Sequence, residues 1–442
     1  MRILAKELLN LYSDGEKEPA ASEQIELCGW IHRIRELGAV NFVVLRDRSA
    51  LIQLVLDGKC PYPLESVVRV SGNPARNPKA PGGAELRVIS MELLGGADGN
   101  LPYQVNADVS KIGLEAILDN RALSLRNPKI RSIFKVQSTI IEAFGSYLRA
   151  HDFTEIKTSK LVAGSTEGGT ELFEVDYFDR KLCLAQSPQQ YKQMMVASGL
   201  ERVFEVAPAY RAEKHDTPRH LNEYVSMDIE MGFIESEIDL IELEKELLAH
   251  IFEEVAAKNA ADVAAWQDKG ASVPVPDGIL KAPIVGYEEA LKIVNTTEGK
   301  TGQGQERIFD MSPEAERRIS VWSEKEYGTP LVFVNDFPRR LRPFYTYPSG
   351  ASGTMSFDAI FRGLEITTGG RRHNEYEVLA EALPRFGLKK ENMEGYLSIF
   401  KYGCPPHGGF AIGCERLTQK LLGLTNVKEA SLFPRDRKRI TP

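Results

Sequence analysis

Five short runs of alternating, β-branched-rich sequence crowd into about 75 residues near the N-terminus. They span 24–35, 41–46, 51–57, 66–71 and 85–94. Asp47-Arg48-Ser49 and the Pro- and Gly-dense run 73–83 read as the turns and loops between them. Strands this short and this closely spaced predict a small barrel, because closure leaves no exposed edge.

A five-stranded barrel of this size is the geometry of an OB fold, which offers one face to single-stranded nucleic acid. Charge is compatible with such a partner, but only locally. The whole chain carries 55 Lys+Arg against 62 Asp+Glu, a net charge of -7, yet residues 25–80 hold eight Lys/Arg against five Asp/Glu. The tail Arg435-Asp436-Arg437-Lys438-Arg439 is basic as well. A polyanion needs a basic surface rather than a basic protein. Taken alone, this charge pattern leaves a solvated mixture equally open.

The pattern changes after a connector at 96–126. Phe134, Ile140, Ile141, Phe144 and Leu148 recur at helical spacing, predicting a helix over 132–150. Short strands and loops follow over 154–233. Leu240, Leu243, Leu247 and Ile251 mark a second helix, and the Ala-rich stretch 255–267 reads as helix or surface connection. Mixed strands and helices return from 284 to 442. Strands and helices without regular βαβ alternation predict an α+β domain, an antiparallel sheet flanked by helices. A chain of 442 residues accommodates such a division: a barrel over 1–100, a hinge over 101–126 and a larger domain over 127–442.

No apolar stretch is long enough to span a bilayer. Glu7 comes too early for a signal peptide, so the expected compartment is the cytoplasm, with no membrane partner. Cys28, Cys60, Cys183, Cys404 and Cys414 are scattered and lack CxxC spacing, and no HExxH pair occurs. Reduced thiols and no protein-ligated transition metal are expected.

Three segments offer chemistry. In Phe204–His215 a strand-like stretch would deliver Arg211 and Glu213 on one face, and Asp228 and Glu230 share a face of the next strand. An arginine fork suits a phosphate; a structural Arg–Glu pair fits as well. In 361–373, Glu365 and Thr368 are hard oxygen ligands three residues apart, suited to Mg2+ that also contacts phosphate. Gly369-Gly370 would let backbone approach a ligand, with Arg372 adding a cation; a plain glycine turn remains open. In 405–417 a glycine-rich strand enters a helix with Arg416 in its first turn, without the GxxxxGK[ST] of a P-loop.

In this order the segments form a pattern that none carries alone. The Arg-Ala-Glu strand and loop resemble motif 2 of class II aminoacyl-tRNA synthetases, Gly413-Cys414-Glu415-Arg416 resembles motif 3, and 153–161 resembles part of motif 1, which forms the dimer interface. Four stretches are similar to the aspartyl-tRNA synthetases: Thr166-Glu167-Gly168-Gly169-Thr170-Glu171, Gln186-Ser187-Pro188-Gln189-Gln190-Tyr191-Lys192-Gln193, Arg219-His220-Leu221-Asn222-Glu223, and the ending 432–442. The compact length resembles the archaeal type.

The resemblance implies an anticodon-binding OB barrel, a hinge and an antiparallel-sheet catalytic domain in a homodimer. The implied reaction joins L-aspartate to ATP as aspartyl-adenylate and transfers it to tRNA. Arg211, Glu365 and Arg416 would be catalytic. Arg211, Ala212, Glu213, Arg219, His220, Leu221, Glu365, Gly413, Cys414, Glu415 and Arg416 would bind ATP, and Glu365 and Thr368 would hold Mg2+. Glu167, Gln189, Gln190, Tyr191, Lys192, Arg211, Thr368 and Arg372 would bind aspartate. Lys192 separates aspartate from asparagine in this reading, since a neutral amide would leave a desolvated ammonium unpaired.

In the barrel, Phe42 resembles the aromatic that stacks an anticodon base and Gln53 a base-edge contact; Phe42 as core is the alternative. His32 and Pro81 stand where discriminating members carry Trp and Lys. They resemble the non-discriminating form, which charges both tRNA-Asp and tRNA-Asn and implies an amidotransferase partner. Ser159 replaces a motif 1 proline, and Arg371 replaces a glutamine, adding charge to the expected pocket. An asparaginyl-tRNA synthetase, a paralogue with another acceptor and a non-catalytic tRNA-binding relative are the competing readings.

Overall fold

Strands β1 (Ile25–Leu37), β2 (Val40–Arg46), β3 (Leu51–Asp57), β4 (Val67–Arg76) and β5 (Ala84–Gly95) close into a barrel in the order β1-β2-β3-β5-β4. The computed structural model describes residues 2–12, 24–37, 40–164, 172–296 and 308–441. The β3–β5 seam is parallel and the other pairings are antiparallel. Alternation puts Val43, Leu45, Ile52, Leu54, Val68 and Val70 inside. Each such buried side chain contributes roughly 1.5–3 kcal/mol of transfer free energy. Helix α1 (Ala5–Tyr12), too short to stand out by periodicity, adds Ala5, Leu8 and Tyr12 to this core. The Ala5 amide donates to Asp47 Oδ2 at 2.7 Å.

Strand β4 runs on through Arg76, beyond the expected limit at 71 and into the Pro-containing stretch read as loop. Its pairing with β1 stops at Gly72, while pairing with β5 continues to Arg76. Pro74 therefore lies where β4 has a partner on one side only, so its missing N–H costs no ladder bond.

The chain divides into two units, Met1–Asn127 and Pro128–Pro442. Residues 101–126, expected as a hinge, count with the first. Asn106 Nδ2 donates to His32 O at 2.8 Å, and Arg126 reaches Glu65 at 3.2 Å.

The second unit is built on an eight-stranded sheet. Its strands are β6 (Thr154–Glu155), β7 (Arg202–Tyr210), β8 (Glu223–Gly232), β9 (Ile284–Gly286), β10 (Leu331–Asn335), β11 (Ser356–Phe361), β12 (Leu364–Arg372) and β13 (His407–Gly413). They lie in the order β9-β10-β11-β12-β13-β8-β7-β6. Only the outer pairs, β9–β10 and β7–β6, are parallel. Helix α2 (Pro128–Ala150) starts earlier than expected, at a proline suited to a first turn. Helix α3 is Gln189–Met195.

Helix α4 (Glu237–Ala264) opens on a capping box of Ser236 and Asp239 and carries the Ala-rich stretch as helix, kinked at Asn259. It covers one face of the sheet: Phe252 packs on Phe361, and Thr367 Oγ1 donates to Glu244 Oε1 at 2.6 Å. Helix α5 is Pro313–Tyr327, and α6 (Cys414–Leu422) follows β13 directly.

Candidate active site

Strand parity selects the side chains on the sheet's other face. On β8 these are Tyr224, Ser226, Asp228 and Glu230; on β13 they are Gly409, Ala411 and Gly413. Register sets Asp228 beside Ala411 and Ala411 beside Thr368. The small β13 residues make a low floor. A Cβ at Gly409 would collide with Ile229 O and the Glu230 carboxylate.

A cavity stands on this floor. Arg211, Glu213, Arg219, His220 and Leu221 line it from the β7–β8 side, and Glu365, Thr368, Gly413, Glu415 and Arg416 from β12, β13 and α6. Tyr224, Ser226, Ile366, Ala411 and Val427 complete the wall and were not anticipated. Parity on β8 could have pointed to the first two. Val427 lies 11 positions beyond Arg416, outside any of the motifs, and gives no local signal.

Arg211 and Glu213 are not strand residues, contrary to expectation. Pairing of β7 with β8 ends at Tyr210 and Glu223. Beyond it the loop closes on itself: the Arg211 amide donates to Asn222 O at 2.9 Å, and Asn222 Nδ2 to Arg211 O at 2.7 Å. The Arg211 guanidinium lies over the Tyr224 ring, 5.8 Å from its centroid. Arg219 Nη2 donates to both carboxylate oxygens of Glu316 of α5, which also accepts the Glu365 amide at 2.8 Å. His220 shares a 2.6 Å hydrogen bond with Thr217 through Nδ1. Burial lowers its pKa against the opposing pull of the Glu213 carboxylate, 3.7 Å from Nε2.

Arg416 Nη1 donates to Glu365 O at 3.0 Å and lies 3.5 Å from Glu365 Oε1. Burial pushes the Glu365 pKa up, but Arg416 and Arg342 outweigh it and hold the group below its ordinary value. Burial drives neighbouring Asp358 up to about 7 despite Arg342. Thr368 Oγ1 donates to Glu365 Oε1 at 3.1 Å. Two adjacent hard oxygens with an exposed threonine fit Mg2+ that keeps waters and shares phosphate oxygens. Among the described residues no group of three or more His, Cys, Asp or Glu could enclose a metal.

Next to the cavity lies a buried ionic quartet. Lys192 Nζ contacts Asp228 Oδ1 at 3.0 Å, Ile229 O at 3.2 Å and Glu230 Oε2 at 3.3 Å. Arg372 Nε reaches Glu230 Oε1 at 3.2 Å, and its Nη2 donates to Gln189 Oε1 at 3.3 Å and Gly409 O at 3.0 Å. The four side chains are 7% exposed or less. Two cations thus meet two anions. The expectation that Lys192 lacks a partner without an anionic ligand is therefore corrected: Asp228 and Glu230 already pair with it.

Helical geometry divides the expected aspartate-binding run. Gln189 and Lys192, three apart, face this pocket. Gln190 and Tyr191 line a different cavity with Met194, Leu388, Met393 and Tyr396. Four consecutive helical residues cannot share one face. Glu167 lies outside the described residues.

Parity also moves Arg371, which points away from Arg372, stacks on Tyr347 at 4.0 Å and donates to Glu235 O. It adds no charge to the pocket. Gly369 and Gly370 admit neighbouring strands rather than a ligand: a Cβ at Gly369 would strike Phe357 and Phe410. Cys414 is fully buried, and neither it nor Ala212 lines the cavity. Ser159 is exposed and donates to Leu161 O at 3.0 Å.

In the barrel, Phe42 and Gln53 alternate with core residues and face outward. Gln53 Nε2 donates to Glu85 Oε2 at 2.9 Å, and Asn77 Nδ2 donates to the same oxygen at 2.7 Å. This ties the loop that carries exposed Pro81 to the outer face. His32, expected at the anticodon-reading face, is packed inward instead. It sits at a bulge in β1, 7% exposed, with Nδ1 2.8 Å from Arg46 Nη1. Burial, then the Arg46 charge, lowers its pKa to about 4.

Residues 113–437 match the family model for tRNA synthetases class II (D, K and N), and residues 25–94 match that for an OB-fold nucleic acid binding domain. The chain is 46% identical over 445 residues to an aspartate–tRNA(Asp/Asn) ligase of Thermus thermophilus, covering 100% of both. It is 37% identical to an aspartate–tRNA(Asp) ligase of Thermococcus kodakarensis, covering 98% of this chain and 99% of that one. Its structure is similar to that of asparaginyl-tRNA synthetase from Pyrococcus horikoshii complexed with asparaginyl-adenylate: TM-score 0.89, 26% identity, 100% of each chain covered.

Proposed function

The chain belongs to the class II tRNA synthetases of the D, K and N group, and from that membership we propose that it is an aspartate–tRNA ligase acting on tRNA-Asp and tRNA-Asn. The aspartate α-carboxylate attacks the α-phosphorus of ATP, and pyrophosphate leaves. The terminal ribose hydroxyl of tRNA then attacks the activated carbonyl and releases AMP. Neither step needs a protein nucleophile; positioning and charge stabilisation carry the catalysis.

Arg211 grips the α-phosphate and the reacting carboxylate, and Arg416 holds the far end of ATP. Glu213, Arg219, His220 and Leu221 bind the nucleotide. Glu365 and Thr368 hold Mg2+, which supplies positive charge to phosphate oxygens when bound. Glu167 takes the substrate ammonium as a charge-assisted partner. The burial of Lys192 and Arg372 beside the cavity carries the choice of aspartate. The substrate carboxylate replaces the longest Lys192 contact, the 3.3 Å one to Glu230. An asparagine amide offers that ammonium no charge in exchange.

Phe42 and Gln53 present an aromatic face and a polar edge to the anticodon. The pairing of His32 with Pro81, together with the dual specificity named for the Thermus thermophilus relative, supports two acceptors. A dual acceptor implies an amidating partner, a tRNA-dependent amidotransferase, to convert the mischarged aspartate. Exposed Leu161, Phe173, Tyr177 and Phe178 near the motif 1 segment support a homodimer. No described helix is long and apolar enough to cross a membrane; free cysteines support a reducing cytoplasm. Charging of tRNA-Asp and tRNA-Asn transcripts tests the reading. Aspartylation of tRNA-Asp alone would remove the second acceptor, and aspartylation of neither would remove the function.

A further inference from the structure

The loop between β7 and β8 carries five of the side chains that line the nucleotide cavity, yet its outer end has no strand partner. It is held from elsewhere in the chain. Lys428, in a short 3-10 turn capped by Asn426, is 7% exposed. Its Nζ lies 2.8 Å from Asp216 Oδ1 at the loop tip and 2.6 Å from Asp436 Oδ2 in the C-terminal tail. Asp436 Oδ1 accepts the Lys438 amide at 2.7 Å and the Arg439 amide at 2.9 Å, which fixes the carboxylate. The same segments meet through backbone: the Val427 amide donates to Pro218 O and the Asn222 amide to Arg435 O, both at 2.9 Å. Val427, next to Lys428, is itself part of the cavity wall.

We infer that Lys428 and Asp436 are positioning residues for ATP: through Asp216, the C-terminal tail sets the loop over the nucleotide. The geometry decides between this and simple tail packing. An ion pair needed only to hold the tail could be made with any acidic group of the core. Here one buried ammonium bridges two carboxylates, one in the tail and one in the loop that bears Glu213, Arg219 and His220. The Lys428–Asp436 half of the bridge is costly to break, because removing one member leaves the other buried and uncompensated, whereas Asp216 is exposed and has Lys438 3.9 Å away as a second cation. The bridge also defines a direction: the tail is anchored independently by the β-bridge of Arg435 to Glu223 at the start of β8, so the loop is the element whose position is being set. The contacts to the aspartate side chain, on α3, β8 and β12, lie off this bridge, and Arg211, the loop residue that meets both substrates, is held at the loop base by Asn222.

The inference rests on the nucleotide reading of the cavity. The experiment is aspartate-dependent ATP–pyrophosphate exchange by the full chain, comparing wild type with Lys428→Met, Lys428→Arg and Asp216→Asn. The expected result is a KM for ATP raised about tenfold or more in Lys428→Met. The KM for aspartate should stay within about twofold, and Lys428→Arg should recover most of the loss. Asp216→Asn, at an exposed site, removes the loop end alone and keeps the test open if Lys428→Met does not fold. It should raise the KM for ATP in the same direction. An unchanged KM for ATP in both, with only a lower melting temperature or a smaller active fraction, would overturn the inference. No exchange by wild type would overturn the nucleotide reading instead, so the two failures are distinguishable.

Discussion

Lys192 Nζ and Asp228 Oδ1 meet at 3.0 Å with both side chains no more than 3% exposed, one on helix α3 and the other on strand β8. Glu230 stands 3.3 Å from the same ammonium and 3.2 Å from Arg372. The pocket is thus electrically balanced before any substrate enters. Its cations are oriented by the sheet, and a substrate carboxylate must compete for them.

Lys192→Met should cost the protein twice. Asp228 and Glu230 would lose their shared cation, and breaking a buried pair this way costs about 3–5 kcal/mol. Aspartate-dependent exchange should fall at least about 100-fold. Thermal unfolding monitored beside exchange kinetics checks both. A variant with normal aspartate KM and an unchanged melting temperature would contradict the balance described here.

Arg211→Ala should remove adenylate formation while sparing tRNA binding. The loop keeps its closure through Asn222, which bonds the Arg211 backbone rather than its side chain. Loss of a preorganised charge at the reacting centre costs about 100- to 1000-fold in rate. Pyrophosphate exchange and filter binding of tRNA separate the two effects; unchanged exchange would remove Arg211 from its role.

Glu244 predicts a pH effect on stability. Burial raises its pKa from 4.5 to about 8. The folded chain keeps this proton where the unfolded chain has released it. Stability therefore falls as pH rises from about 4.5 towards 8 and levels off above. Glu244→Gln should melt like wild type near the lower end of this window and at a higher temperature near the upper end. Parallel melting curves across the range would show that Glu244 titrates normally.

His32→Trp with Pro81→Lys should narrow the acceptors to tRNA-Asp. Pro81 is exposed and open to direct contact, whereas His32 is packed against Arg46 and can act only by reshaping the barrel wall. Pro81→Lys alone should therefore shift the kcat/KM ratio towards tRNA-Asp, and the double variant further, by about tenfold or more. An unchanged ratio in the double variant would place discrimination elsewhere.

Period-2 alternation in the N-terminal segment was enough to foresee the barrel, whereas the roles of Phe42 and Gln53 came from the family resemblance, with Phe42 as core left open. The inward packing of His32 was hidden, because a bulge in β1 shifts the register there, and bulges leave no reliable mark in a single sequence. The motifs located most of the cavity wall but not its internal pairing. Which of Gln189, Gln190, Tyr191 and Lys192 faces the pocket depends on the phase of α3. That phase is set by packing on β8 rather than by the helix's own residues. Glu316, which holds Arg219 from 97 positions away, had no signal at all. The end of β7 at Tyr210 was equally hidden, since nothing in Tyr210-Arg211-Ala212 opposes an extended strand; the crosslink to Asn222 ends it.

The central claim is that this site activates aspartate. The most direct measurement is ATP–pyrophosphate exchange by the purified chain with aspartate and with asparagine, side by side. The structure predicts exchange with aspartate and only background with asparagine. Equal or faster exchange with asparagine would contradict it.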